Sequence, residues 1–234
     1  MADPTDYTPT VPAERAERIR DWHERAYQAT KAEGQRPQTF EYLGRTIVVP
    51  PNVMPITGMS HLLGEAVLAE VRPTDRVLDM GTGSGVNAIL AASVSSDVLA
   101  VDINPYALTA ARDNAIRNGV ADRIVVRHSD VFSAVDGTFD LIVFDPPFRW
   151  FAPRDILEAA TADEDYRALT TFVRSGRWYL APGGRILVFF GTSGDLGYLK
   201  RLVAEQGFQT EILARQTIAK DGMEVEYVTY RLSR

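Results

Sequence analysis

The stretch that most constrains this chain is Val77-Leu78-Asp79-Met80-Gly81-Thr82-Gly83-Ser84-Gly85. An apolar run that ends in an acid and enters three alternating glycines reads as a buried strand, a turn and a helix opening near Val86. Glycine tolerates positive φ and lets a ligand approach the backbone closely. The helix would aim unpaired N–H groups at whatever lies in the turn. A second apolar run, Val98-Leu99-Ala100-Val101, ends on Asp102. Open α/β sheets place a carboxylate there to grip ribose hydroxyls. The spacing is Gly-x-Gly-x-Gly, and dinucleotide binders use Gly-x-Gly-x-x-Gly. That difference points to a nucleoside ligand without a pyrophosphate.

The remaining chain continues the alternation of strands and helices. Thr10 and Pro12 open a helix carried by Ala16, Ile19, Trp22, Ala26 and Ala29 and stopped at Gly34. Residues 1–10 before it read as loosely attached. FEYLGRTIVV, residues 40–49, is a small hairpin turning at Gly44. After a proline-rich turn, a helix begins between Thr57 and Ser60. The spacing then predicts strands at 76–79, 98–102, 123–126, 139–144 and 185–190, with helices at 86–94, 105–118, 166–180 and 194–206. Two closing strands, 209–217 and 224–232, flank the turn Lys220-Asp221-Gly222. The expected fold is α/β: a doubly wound, mostly parallel, Rossmann-like seven-stranded sheet ending in an antiparallel hairpin.

Composition narrows the functional classes. The formal charge of −6 and pI of about 5.2 supply no general basic field for nucleic acid, although a local patch remains open. With no cysteine, neither disulfides nor thiolate metal sites are available, and no metal site is expected. No apolar run reaches the ~18 residues of a membrane span. The first residues, MADPTDYTPT, lack a basic stretch leading into an apolar core. The expectation is a soluble cytoplasmic protein without a membrane partner.

Together, DMGTGSG, VDINP, HSDVF and FDPPF resemble the class I S-adenosylmethionine-dependent methyltransferases in order and spacing. The release-factor glutamine methyltransferases and other amino-group N-methyltransferases are the similar members. The resemblance covers about residues 54 to 191 and implies a methyltransferase domain over 54–234. Residues 1–53 then form an N-terminal tail, helix and hairpin, either a packed cap or a lid. S-adenosylmethionine is the implied cofactor. Asp79 would hold its ammonium, with Gly81, Thr82, Gly83 and Gly85 around it. Asp102 would accept the ribose hydroxyls, while Ile103 packs on the adenine. Asp130 would accept from the adenine amino group and Val131 would supply apolar contact. His23, His61 and His128 have readier roles in packing or capping than in chemistry.

Asp145-Pro146-Pro147-Phe148 carries the reaction in this reading. Consecutive prolines fix φ and lack backbone donors, so the Pro146 carbonyl and the Asp145 carboxylate can accept both N–H bonds of one planar nitrogen. Phe148 can stack on the group bearing that nitrogen. Asp145 also belongs with the donor-contacting residues. Pro147, Arg149, Trp150 and Phe151 are the candidate substrate contacts. Asparagine is usual in the glutamine enzymes; Asp145 suits an amine, guanidine or amidine at least as well as an amide. The acidic run Asp155–Asp165 would repel a phosphate backbone unless it faces away. The favoured acceptor is a planar nitrogen of a small molecule, peptide or protein. A nucleic-acid amino group, an oxygen or carbon acceptor, and a donor-binding protein without catalysis are the alternatives.

Overall fold

The computed structural model describes residues 7–33, 36–220 and 222–234, with Lys220 described by its backbone alone. Residues 1–6, Gly34 and Asp221, read above as part of a loose N-terminal stretch, a helix stop and a turn residue, lie outside these.

The chain opens with α1 (Ala13–Glu33) and the antiparallel hairpin β1 (Gln38–Tyr42) and β2 (Arg45–Val49). Leu43 and Gly44 turn that hairpin with φ of 46° and 74°, the paired positive values that match the twist of its strands. Next come α2 (His61–Glu70), β3 (Arg76–Met80), α3 (Val86–Ala92), β4 (Asp97–Asp102), α4 (Pro105–Arg117) and β5 (Ile124–His128). Then follow β6 (Phe139–Phe144), α5 (Arg167–Gly176), β7 (Leu180–Gly191), α6 (Leu196–Glu205), β8 (Gln209–Lys220) and β9 (Met223–Ser233).

Seven strands form one sheet in the order β5-β4-β3-β6-β7-β9-β8; β9 is antiparallel to both neighbours and the other pairings are parallel. The chain winds outward from β3 to β5, then returns to β6 on the other side of β3. The topological switch point therefore falls between β3 and β6, where such sheets bind ligands beyond the strands' carboxyl ends. Val77, Leu78, Leu141, Ile142 and Val143 are completely buried, as central parallel strands covered on both faces require.

The structure departs from the sequence expectations in three instructive places. First, α1 buries Ile19, Trp22, His23 and Tyr27, while Ala26 and Ala29 are exposed. The packed stripe follows the large rings, which bury more area than alanine. Second, Ala181-Pro182-Gly183-Gly184, read as a stop, lies within the span of β7. Phe139 pairs with Leu180 and Leu141 with Arg185, so the strand bulges out and returns. Gly184 permits this, because a Cβ there would lie 2.9 Å from two carbonyl oxygens. Third, α3 is two residues shorter than expected.

Asparagine side chains on α4 bind the edge of the small hairpin. Asn114 Oδ1 accepts from Val48 N at 2.9 Å, and its Nδ2 donates to the Val48 carbonyl at 2.8 Å. Asn118 treats Thr46 in the same way, at 3.2 and 2.9 Å. Four helical residues rise about 6 Å and two strand residues about 6.6 Å, so the two amides mimic a neighbouring strand. Asn114 Nδ2 also reaches the Ser84 carbonyl at 2.9 Å, joining the hairpin to the glycine loop. Asn114→Ala should lower the unfolding free energy by about 2–4 kcal/mol, because it strands buried backbone groups. Urea unfolding should show Asn118→Ala, at the more open end, costing less than half as much.

Candidate active site

Asp79, at the end of β3, is buried beneath the glycine loop. Its Oδ2 accepts from Thr82 Oγ1 at 2.5 Å and from Ala88 N at 3.0 Å. One of α3's opening N–H groups is thereby engaged with protein. Burial pushes the Asp79 carboxyl up to about 7; the two hydrogen bonds oppose this and Asp102 adds to it. Gly81, Gly83 and Gly85 have φ of 64°, 55° and 84°, so all three sit in the left-handed region favouring glycine. A Cβ on Gly83 would enter open space, whereas one on Gly85 would meet the backbone of Ala111 at 2.9 Å. Gly83 thus leaves a free cradle, and Gly85 lets the loop pack on α4.

Asp102 ends β4 and fixes its neighbours. Its Oδ2 accepts from Gly83 N and its Oδ1 from Asn104 N, both at 2.8 Å. Burial raises its carboxyl, against those backbone donors. Each oxygen keeps a second lone pair for a further donor. Ile103 beside it is 46% exposed, leaving an apolar face beside the carboxylate. Asn104 caps α4 through Tyr106 N at 2.9 Å and also donates to the Asn52 carbonyl at 2.8 Å. That contact draws the proline-rich turn to this corner, a link no motif signalled.

Asp130, after β5, is engaged by Arg167 with nitrogen–oxygen distances of 3.0 and 3.2 Å. Val131 follows, buried and at φ 48°. His128 is exposed. His61 Nδ1 lies 2.7 Å from the Gly58 carbonyl and closes a local turn.

Asp145 stands one residue beyond β6, next to the end of β3. Its side chain is open to solvent yet lies deep in the protein, and burial pushes its carboxyl up to about 7, with Asp79 adding to the effect. Among the described residues, nothing donates a hydrogen bond to the Asp145 carboxylate or to the Pro146 carbonyl. Pro146 is buried and Pro147 half-buried. The Phe148 ring lies among Phe189, Phe190 and Tyr227, with centroids 5.6, 5.2 and 6.2 Å away. Tyr166 donates its hydroxyl proton to the Phe148 carbonyl and accepts from Asp195 N at 2.7 Å. Tyr166 and Asp165 both hold positive φ, 55° and 50°, a strain of the kind found at functional sites. Asp195 in turn receives Tyr7 Oη at 3.1 Å and Thr10 N at 2.6 Å. Sequence reading missed this line from the N-terminal segment to the DPPF turn, since a tyrosine in an acidic run gives no local sign of it.

Trp150 and Phe151 are buried rather than open to a cleft. Trp150 lies 6.2 Å from both Tyr7 and Tyr166, while Phe151 contacts His23 at 5.7 Å and carries Arg20 4.0 Å above its ring. Their rings therefore pack against the N-terminal segment and α1. In the acidic run, Glu158 and Asp163 are buried, Asp155 is half-buried, and Glu164 and Asp165 are exposed. Asp155 accepts from Tyr27 at 2.6 Å, Glu158 holds His23 at 2.9 Å and Arg154 at 2.8 Å, and Asp163 binds the N–H groups of Ala168 and Leu169. Burial lowers the His23 pKa.

A Gly-x-Gly-x-Gly loop and two carboxylates at a sheet's switch point define a Rossmann-like nucleoside-binding protein. Residues 58–220 match the model of the Methyltransferase small domain, and the chain belongs to this family of S-adenosylmethionine-dependent methyltransferases. It is 37% identical to a release factor glutamine methyltransferase of Cereibacter sphaeroides, over 55% of this chain and 50% of that protein. It is 34% identical to ribosomal RNA small subunit methyltransferase C of Mannheimia succiniciproducens, over 48% and 31%. The crystal structure of a ribosomal protein L11 methylase from Lactobacillus delbrueckii subsp. bulgaricus superposes with a TM-score of 0.58 at 26% identity, over 80% of this chain and 83% of that one. The matched region spans half or less of the two curated relatives. No helix among the described residues is long and apolar enough to cross a membrane.

The cofactor implied by the family is S-adenosylmethionine, and the residues suit it: an open glycine cradle, a carboxylate with free lone pairs for hydroxyls, and two unusually basic carboxylates at the ends of adjacent strands, of a charge that suits a cation. A raised carboxyl pKa stabilises the fold below the unfolded value near 4, and that contribution is lost as pH rises through about 7. In ligand-free protein, Asp145→Asn should therefore melt above wild type at neutral pH. The gap should close toward pH 4, as thermal melts across that range would record. Tyr166→Phe should cost about 1–3 kcal/mol, since the Phe148 carbonyl and Asp195 N–H lose their shared partner, measured by chemical denaturation.

Proposed function

We propose that this chain transfers a methyl group from S-adenosylmethionine to a planar nitrogen of a small molecule, peptide or protein. The observation carrying this reading is the unpartnered pair formed by the Asp145 carboxylate and the Pro146 carbonyl beside the glycine loop. When bound, S-adenosylmethionine supplies an electrophilic methyl on a cationic sulfur. The chain's own task is alignment. Asp79, Asp102, Asp130, Ile103 and Val131 hold the donor around the loop of Gly81, Thr82, Gly83 and Gly85. Asp145 and Pro146 accept the two N–H bonds of the acceptor, pointing its lone pair along the transfer axis. Holding the reacting atoms roughly 3–3.5 Å apart contributes much of the acceleration. With its carboxyl near 7, Asp145 is suited to take the released proton at neutral pH.

Phe148 lines the acceptor side with Pro147 and sets the turn through its carbonyl, held by Tyr166. A nucleic-acid amino group is the second reading, supported by the ribosomal RNA methyltransferase among the relatives. The net charge of −6 weighs against it. Radiolabelled methyl transfer into fractionated extract separates the two: label that survives nuclease supports the first, and label lost on nuclease treatment supports the second.

The division of roles predicts a contrast between two variants. Asp102→Ala should weaken donor binding by about tenfold or more, as expected for loss of charge-assisted hydrogen bonds. Asp145→Ala should leave donor affinity within a few-fold while turnover falls by about 100-fold or more. Calorimetric titration and single-turnover assays would measure both effects, and equal loss of donor affinity in the two variants would contradict the division.

A further inference from the structure

Two arginines in this structure are less than a tenth exposed, Arg149 and Arg185. Arg185 is fully engaged. Its Nε reaches Glu70 Oε2 at 3.1 Å, Nη1 the Asp140 carbonyl at 3.0 Å, and Nη2 both Asp75 Oδ2 at 2.8 Å and the Glu70 carbonyl. Buried charges are ordinarily held this way, because an unpaired one costs several kcal/mol. Arg149 is 7% exposed and has no such set. Its Nε is buried without a hydrogen-bond partner, and among the described residues no carboxylate pairs with it. The Trp22 ring lies 5.2 Å from its Cζ. Such an unsatisfied buried group in a folded protein calls for a ligand or a function.

Its place in the fold suggests which. Arg149 directly follows Phe148, whose ring lies 6.2 Å from that of Tyr227. The Tyr227 phenol feels both the Arg149 charge and the Asp145 charge. The side chains near the acceptor position thus offer a carboxylate for an N–H and, past one phenol, an uncommitted guanidinium.

We propose that Arg149 is an anion subsite of the acceptor pocket and receives a carboxylate carried by the same small molecule whose nitrogen is methylated. This rests on the nitrogen-methylation reading above. A carboxylate matches the planar fork of a guanidinium with two parallel hydrogen bonds. A phosphate would call for further cations, and Arg154 is committed to Glu24 and Glu158, Arg167 to Asp130, while Arg20 lies over the Phe151 ring. The aromatic surroundings of Arg149 and its low exposure favour an acceptor of small size.

The test is a titration of ligand-free, 15N-labelled protein, following arginine side-chain Nε–H resonances. The Arg149 signal is assigned as the one missing in Arg149→Lys. Propionate, propionamide and inorganic phosphate are added in turn, with chloride at matched ionic strength as the blank. Propionate is expected to move the Arg149 signal along a saturating curve, whereas propionamide and chloride leave it in place. Backbone amide shifts should report propionate binding about tenfold or more weaker in Arg149→Lys. A saturating shift with phosphate but not propionate would overturn the carboxylate assignment. No shift with either anion would overturn the subsite and leave Arg149 as a packing partner of Trp22. Methyl transfer plays no part in the readout. A protein that binds propionate here yet methylates no nitrogen would refute the methylation reading alone.

Discussion

Everything at the site depends on the register of one strand pair. β3 and β6 run parallel with Asp79 opposite Val143 and Met80 opposite Phe144. The glycine loop and the DPPF turn therefore leave the sheet side by side, and the Asp79 carboxylate comes close enough for its charge to raise the cost of ionising Asp145. A slip of one residue would turn every apolar side chain of β6 to the opposite face. Leu141, Ile142 and Val143 are completely buried, so a slip would also force close-packed side chains on both faces of the sheet to repack. The core thus sets the spacing of the chemistry.

Around this pair, the remaining elements act as clamps. The small hairpin is tied to α4 by Asn114 and Asn118, and Asn114 continues to the Ser84 carbonyl in the glycine loop. On the opposite side, the N-terminal segment holds Asp195, Asp195 holds Tyr166, and Tyr166 holds the Phe148 carbonyl. α1 covers the segment after the DPPF turn through Trp22, His23 and Tyr27. Half-exposed ion pairs such as Asp130–Arg167 add little stability by themselves. Here that pair ties the loop after β5 to the first residue of α5.

What could be read from the sequence was whatever is written in consecutive residues. The glycine loop, the acid ending β4, the DPPF turn and the runs of the parallel strands are all local, and each forces its structure through φ, periodicity or burial. What could not be read depends on partners far apart in the chain. Nothing near Asn114 announces that its amide would pair with Val48. Nothing near Tyr166 indicates a left-handed backbone that delivers its hydroxyl to Phe148. Trp150 and Phe151 read as free aromatics because the N-terminal segment and helix they pack against lie more than a hundred residues earlier. Asp155 and Glu158 read as a solvated acidic face for the same reason, since their partners are Tyr27, Lys31 and His23 on α1. The bulge in β7 is a long-range matter too, because only pairing with β6 draws residues on both sides of Gly183 into the same strand.

The central claim is that Asp79 and Asp145, carboxylates made unusually basic by burial, with the Asp79 charge adding to the effect at Asp145, sit where a cationic methyl donor binds. Its most direct measurement is the proton balance of donor binding, obtained by calorimetry at about pH 7 in buffers of different ionisation enthalpy. S-adenosylmethionine should release protons on binding, and more of them than S-adenosylhomocysteine, which lacks the positive sulfur. Proton uptake, or binding of both ligands with no proton change, would contradict the account.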